Sequence, residues 1–159
     1  MVLLWERLAG RNAHDAGRQL LSRLYEQETG QDFPKIRLTK QGKPYFAEGN
    51  LHFSISHTKN HVFCALSCRN IGIDAEEIDR RIDLRLSAKI FSPAEKARYD
   101  AAGDKQAALL RLWVLKEAYA KLLGTGWGNS LHRTDFDPDD PRIQIIDGCY
   151  LAILEENEE

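Results

Sequence analysis

Between Leu51 and Glu76 the chain is written in a period of two. Leu51, Phe53 and Ile55 alternate with His52, Ser54 and Ser56, which gives a strand one apolar face and one face of hydroxyls and imidazole. The polar turn Thr58-Lys59-Asn60 follows, then the apolar run Val62–Ser67, a turn at Arg69-Asn70, and a further run Ile71–Glu76. This spacing predicts a three-stranded antiparallel meander. In its last strand Ile71, Ile73 and Ala75 point one way while Asp74 and Glu76 point the other.

Helices are expected on either side. Asn12 can cap a helix to about Gln27, with Asp15 in its first turn and Ala13, Ala16, Leu20 and Leu24 on one face. A short strand at Ile36–Leu38 and the turn Gln41-Gly42-Lys43-Pro44 come next. Ser92-Pro93-Ala94-Glu95 combines an N-cap serine, proline at N1 and glutamate at N3, a specific start signal. A longer helix begins after Asp104 and stops at Gly124, where left-handed backbone is cheap. Asp147-Gly148 reads as a hairpin turn between Ile143–Ile146 and Tyr150–Leu154, and the acidic tail Glu155–Glu159 as frayed. No sequence repeat or low-complexity linker is visible. The fold class is α+β.

With 22 Lys+Arg against 24 Asp+Glu among 159 residues, the formal charge is −2. That is not the basic balance of a nucleic-acid binder. No apolar run approaches the roughly 20 residues that span a bilayer, so no membrane partner is expected. Glu6 and Arg7 interrupt the apolar start before a secretory core forms. Cys64, Cys68 and Cys149 lack metal-ligand spacing and read as reduced, buried thiols in a cytoplasmic protein.

Several residues could carry chemistry. Asp74 and Glu76, beside the side-chain-free Gly72, can present oxygens to a hard cation, although a solvated acidic strand end has the same pattern. Trp113, Glu117 and Lys121 recur at i, i+4 and i+8, beside the apolar stripe of Leu112, Leu115, Tyr119 and Leu122. Glu117 and Lys121 are equally an ordinary helical ion pair contributing a few tenths of a kcal/mol. Ser56 and His57 end a strand before a turn, where both can meet phosphate oxygens, and Lys43 sits on the rigid Gly42-Lys43-Pro44 turn.

Taken in order, Gly-Lys-Pro, Phe-x-Ile-Ser-His, Gly-Ile-Asp-x-Glu, Phe-Ser-x-x-Glu and Trp-x-x-Lys-Glu-Ala-x-x-Lys form a pattern. From about Arg11 to Lys121 it resembles the 4′-phosphopantetheinyl transferase superfamily, in particular the broad-specificity type serving secondary metabolism. The resemblance implies two similar α/β lobes with the cofactor cleft between them, here residues 1–70 and 71–159, the second carrying the metal site. It also implies transfer of 4′-phosphopantetheine from coenzyme A to a serine of an apo acyl or peptidyl carrier protein. The alternative is a coenzyme A-binding or carrier-interacting module without turnover.

By the same resemblance Asp74, Glu76 and Glu117 would hold Mg²⁺ or Mn²⁺, and Glu117 would activate the acceptor serine. Lys121 would reach the coenzyme A phosphates, with Ser56, His57, Thr58 and Arg18 near them and Gly42, Lys43 and Pro44 at the 3′-phosphoadenosine end. Arg80, Arg81, Arg85 and Lys89 would face an acidic carrier helix. Members of this type usually have a fuller first lobe, whereas about ten residues precede the first matched helix here. A trimmed lobe is therefore expected, with Arg7 and Arg11 as substitutes for the family's N-terminal basic residues.

Overall fold

The computed structural model describes residues 1–126 and 131–156. Its elements are β1 (Val2–Arg7), α1 (Ala13–Thr29), β2 (Ile36–Leu38), β3 (Pro44–Phe46), β4 (His52–His57), β5 (His61–Ser67) and β6 (Ile71–Glu77). They continue with α2 (Ser87–Ile90), α3 (Pro93–Ala101), α4 (Lys105–Leu123), β7 (Ile143–Ile146) and β8 (Cys149–Glu155).

The local start and stop signals hold. The Asn12 side chain accepts from Asp15 N. Ser92 and Glu95 form a reciprocal capping box with Pro93 at the helix start. Asp104 caps α4, which ends at Gly124 in the left-handed region. Asp147 and Gly148 turn the last hairpin at φ 45° and 77°.

The meander does not survive as expected. β4 and β5 pair antiparallel, but β5's other neighbour is β1, giving the order β1-β5-β4. β6 instead pairs with β8 and opens a second sheet of order β6-β8-β7. The two three-stranded sheets share one connectivity, a strand, a helical segment and then a hairpin whose last strand pairs with the first. A separate β2–β3 ladder is inserted before the hairpin of the first sheet. Neither β1 nor β3 was anticipated from the sequence. Glu155 of the acidic tail is the last residue of β8, where it accepts from Arg69 at 2.9 Å, while residues 157–159 lie outside the described residues.

Burial follows the alternation. α1 packs Ala16, Leu20, Leu21 and Leu24 against Val62, Cys64 and Leu66 of β5. α4 packs against Tyr150, Ala152 and Leu154 of β8. The opposite faces of both sheets share a core of Phe63, Ala65, Ile71, Ile73, Ala75 and Leu151. At ~25 cal/mol per Å² of apolar surface removed from water, these clusters supply the main favourable term in folding.

Polar contacts join the sheets at both sides. Ser54 Oγ and Ser56 Oγ of β4 accept from Ile73 N (3.0 Å) and Ala75 N (3.1 Å) of β6. Across the molecule Arg7 grips Asp147 through Nε (2.7 Å) and Nη2 (2.8 Å), while His61 Nε2 lies 2.8 Å from the same carboxylate. All three cysteines are free, and Cys68 is exposed, against the expectation that all would be buried.

Candidate functional site

The decisive position is Gly72. A Cβ there would stand 2.1 Å from Ala118 O, 2.4 Å from Leu122 N and 2.9 Å from Leu122 Cα. Only a residue without a side chain lets the backbone of α4 cross β6 this closely. The crossing sets Glu117 and Lys121 beside the outward carboxylates of β6.

Asp74 is buried. Its Oδ1 accepts from Lys121 Nζ at 2.7 Å and from Ser56 Oγ at 2.9 Å. Glu76, two residues on, is bonded by Arg80 and by the Trp113 indole. Burial pushes its carboxyl above the usual range, the Arg80 charge opposes that shift, and the Asp74 charge adds to it. Asp74, Glu76 and Glu117 border a cavity of about 390 Å³ together with Ser56, His57, Trp113 and Lys121. Among the described residues, however, no three His, Cys, Asp or Glu side chains stand close enough to hold a metal ion as they are. The acidic oxygens of β6 are held by cationic side chains instead.

Two further cavities share these walls. One of about 270 Å³ runs from Ile55, Glu117 and Lys121 to Phe53, Ala120 and the turn Gly42-Lys43-Pro44. Another, of about 520 Å³, continues past His57 and Glu76 to Thr58, Lys59, Glu77 and Arg80. Together they form one groove along the junction of β4, β6 and α4. Its middle is acidic and hydroxylic, and its Gly42 end is apolar.

Not every anticipated residue is free to meet a ligand. Lys43 lines the groove, but its ammonium donates to Asn70 Oδ1 (2.6 Å) and to Leu122 O (2.8 Å), closing the C-terminal end of α4. Burial lowers its pKa, against the attraction of Glu156. The Thr58 hydroxyl donates to Glu77 Oε1 at 2.9 Å and accepts from His61 N at 3.0 Å, so it is spent within the β4–β5 turn. Burial works against ionisation of Glu77, yet donation from Thr58 and Asn60 holds its carboxyl below the usual range. Arg18 lies half-buried on α1 and lines none of the three cavities. Trp113 and Arg80 line the groove as well; the sequence had set Trp113 on the Glu117–Lys121 face without a ligand role and had read Arg80 as part of a carrier-facing segment. The i, i+4 relation of Trp113 to Glu117 was the available signal.

A family model of the 4′-phosphopantetheinyl transferase superfamily matches residues 70–155. Among curated relatives, 4′-phosphopantetheinyl transferase HetI of Nostoc is 34% identical over 126 residues, covering 73% of this chain and 53% of that protein. The transferase Sfp of Bacillus subtilis is 34% identical over 114 residues, covering 69% and 49%. The transferase gsp of Aneurinibacillus migulanus is 35% identical over 93 residues, covering 57% and 38%. The chain therefore belongs to the 4′-phosphopantetheinyl transferase superfamily. It spans about half the length of the curated relatives it matches.

Proposed function

We propose that the chain transfers the 4′-phosphopantetheine group of coenzyme A to a serine of an apo carrier protein. The observation that carries this reading is the groove itself, where Asp74, Glu76, Glu117, Lys121, Ser56 and His57 border one cavity that opens into the apolar pocket at Gly42-Lys43-Pro44. Residues 1–70 and 71–159 are read as the two lobes flanking it.

In the transfer, the serine oxygen bonds to the phosphorus that carries pantetheine, and the bond from that phosphorus to the leaving phosphate breaks. Adenosine 3′,5′-bisphosphate departs. Glu117, half-buried at the groove, takes the hydroxyl proton directly or through water. Lys121 holds a phosphate by leaving Asp74, 2.7 Å away. His57 orients the diphosphate. Ser56, whose hydroxyl donates to Asp74 at 2.9 Å and accepts from Ala75 N at 3.1 Å, steadies the carboxylate. The pocket walled by Phe53 and Ile55 receives the adenine end.

The donor set fits a divalent cation. Its oxygens are hard carboxylates, and Asp74 and Glu76 already hold cationic groups, the Lys121 ammonium and the Arg80 guanidinium. Mg²⁺ or Mn²⁺ held by Asp74, Glu76 and Glu117 would supply charge neutralisation on the diphosphate. The basic segment Arg80–Lys89, whose first residue lines the groove, is read as the face for an acidic carrier helix.

The test is incubation with coenzyme A, Mg²⁺ and a panel of apo acyl and peptidyl carrier proteins, read by intact mass. A gain of one phosphopantetheine on serine is expected, and Glu117→Gln is expected to remove it without unfolding the chain. Coenzyme A binding without transfer would instead favour a binding module.

A further inference from the structure

Asp74 and Glu76 set two negative charges on one face of β6, largely out of water, and such charges are costly unless a cation answers them. Lys121 answers Asp74 at 2.7 Å, and Arg80 answers Glu76, whose side chain is only 14% exposed. Burial pushes the Glu76 carboxyl up, and the Arg80 charge is the largest influence opposing that shift.

The two cations are placed differently. Lys121 reaches Asp74 from α4, across the groove. Arg80 belongs to the turn that leaves β6. The backbone of that turn is pinned, since Ile78 N donates to Gly148 O (2.9 Å) and Arg80 N to Glu77 O (3.0 Å). Its side chain is 46% exposed. An ion pair this open to water is held weakly, so the guanidinium can leave Glu76 without moving the turn. The cavity of about 520 Å³ bordered by Glu76, Glu77 and Arg80 gives it room. A second carboxylate stands there as well: Glu77 Oε1 takes the bonds from Thr58 and Asn60, while its Oε2 carries none among the described residues.

We infer that Arg80 is an exchangeable counter-ion for Glu76, which neutralises the carboxylate in the metal-free protein and opposes the binding of a divalent cation there. A cation arriving at Glu76 either breaks the ion pair or comes to rest beside a like charge, and both weaken its hold. The inference rests on the cation site proposed above and gives a role in it to a residue that is not one of its ligands.

Mn²⁺ binding, followed through the EPR signal of the free ion, tests this without turnover, and the Mn²⁺-induced rise in thermal midpoint is a second readout. Arg80→Gln removes the charge and keeps a hydrogen-bonding amide. It is expected to bind Mn²⁺ about three- to tenfold more tightly than wild type, and to gain more in midpoint at a fixed Mn²⁺ concentration. Arg80→Lys, which restores the charge, is expected within about twofold of wild type. Arg85→Gln is the control for net charge, because Arg85 pairs with Asp83 at 2.7 Å and lines none of the three cavities. Its Mn²⁺ affinity is expected to stay within about twofold of wild type. An Arg80→Gln affinity equal to or weaker than wild type would overturn the inference, as would an equal gain in Arg85→Gln. If the wild type binds Mn²⁺ but modifies no carrier protein, the transfer reading fails, and the Mn²⁺ affinities still decide the role of Arg80. If neither wild type nor Arg80→Gln takes up Mn²⁺, the inference falls with the cation site, while carrier modification in excess chelator would leave the transfer reading standing.

Discussion

Gly72→Ala is the sharpest single perturbation of the fold and the site together. The added methyl would sit 2.1 Å from a main-chain oxygen and 2.4 Å from a main-chain nitrogen of α4. Neither can rotate away, so the helix must draw back from β6 by about 1 Å before ordinary contact returns, in an interior packed as densely as an organic crystal. Overpacking of this kind costs ~1–3 kcal/mol, and a clash with backbone belongs at the upper end. For a chain of this length ~3 kcal/mol corresponds to a fall of about 6–12 °C in thermal midpoint. The same retreat carries Glu117 and Lys121 off the β6 carboxylates and breaks the 2.7 Å Lys121–Asp74 contact, so turnover is expected to drop about a hundredfold. Urea unfolding and intact-mass kinetics read the two effects. Gly103→Ala is the control: its new Cβ meets nothing within 4 Å, and its effect is expected within about 0.5 kcal/mol. A Gly72→Ala protein with the urea midpoint and turnover of the Gly103→Ala control would refute the argument that close helix approach builds the site.

Thiol labelling of the native protein should modify Cys68 quickly and leave two cysteines for the unfolded state, because burial pushes the Cys64 thiol up to about 12 and that of Cys149 to about 11. Fast labelling of two or three thiols would contradict the packing of β5 and β8. The Asp147 carboxyl is held well below its ordinary 3.8 by the Arg7 hydrogen bond and then by His61. Its contribution to stability is therefore present above that value and is lost as pH falls below it toward the folded-state pKa. The difference in urea midpoint between wild type and Asp147→Asn should be constant near neutrality and shrink only below about pH 4. A difference that grew on acidification would reverse the sign. Lys43→Met, which leaves the Leu122 carbonyl with Asn70 as its partner, should cost ~1 kcal/mol in urea unfolding; no loss would show that the lysine does not brace the end of α4.

What was legible in the sequence was local backbone chemistry. Asn12, Ser92-Pro93-Ala94-Glu95, Asp104, Gly124 and Asp147-Gly148 each act within a few residues of their own position, and the helix ends and hairpin fall where they indicate. β1 escaped because Val2–Arg7 lacks the alternation that marks a half-buried strand, and β3 is only three residues long. The common connectivity of the two sheets leaves no repeat of residues, because a topology can be repeated without repeating sequence; only the family resemblance implied two similar lobes.

The failure of the meander has the same origin as the less legible part of the site. Whether β6 continues one sheet or opens another is decided by β8, about 80 residues away in the chain, and no pattern within Ile71–Glu77 distinguishes the two outcomes. The motif order singled out Asp74, Glu76, Glu117 and Lys121 as chemistry-bearing, but which cation meets which carboxylate is likewise settled over long separations: Lys121 with Asp74, Lys43 with the end of α4, Lys116 with Glu95. In each case a lysine of unremarkable local context is held by partners far away in the chain, a carboxylate for Lys121 and Lys116, Asn70 and a main-chain carbonyl for Lys43. The reactive face of the groove is thus defined as much by the cations locked elsewhere as by those left beside it, and only the assembled core shows which are which.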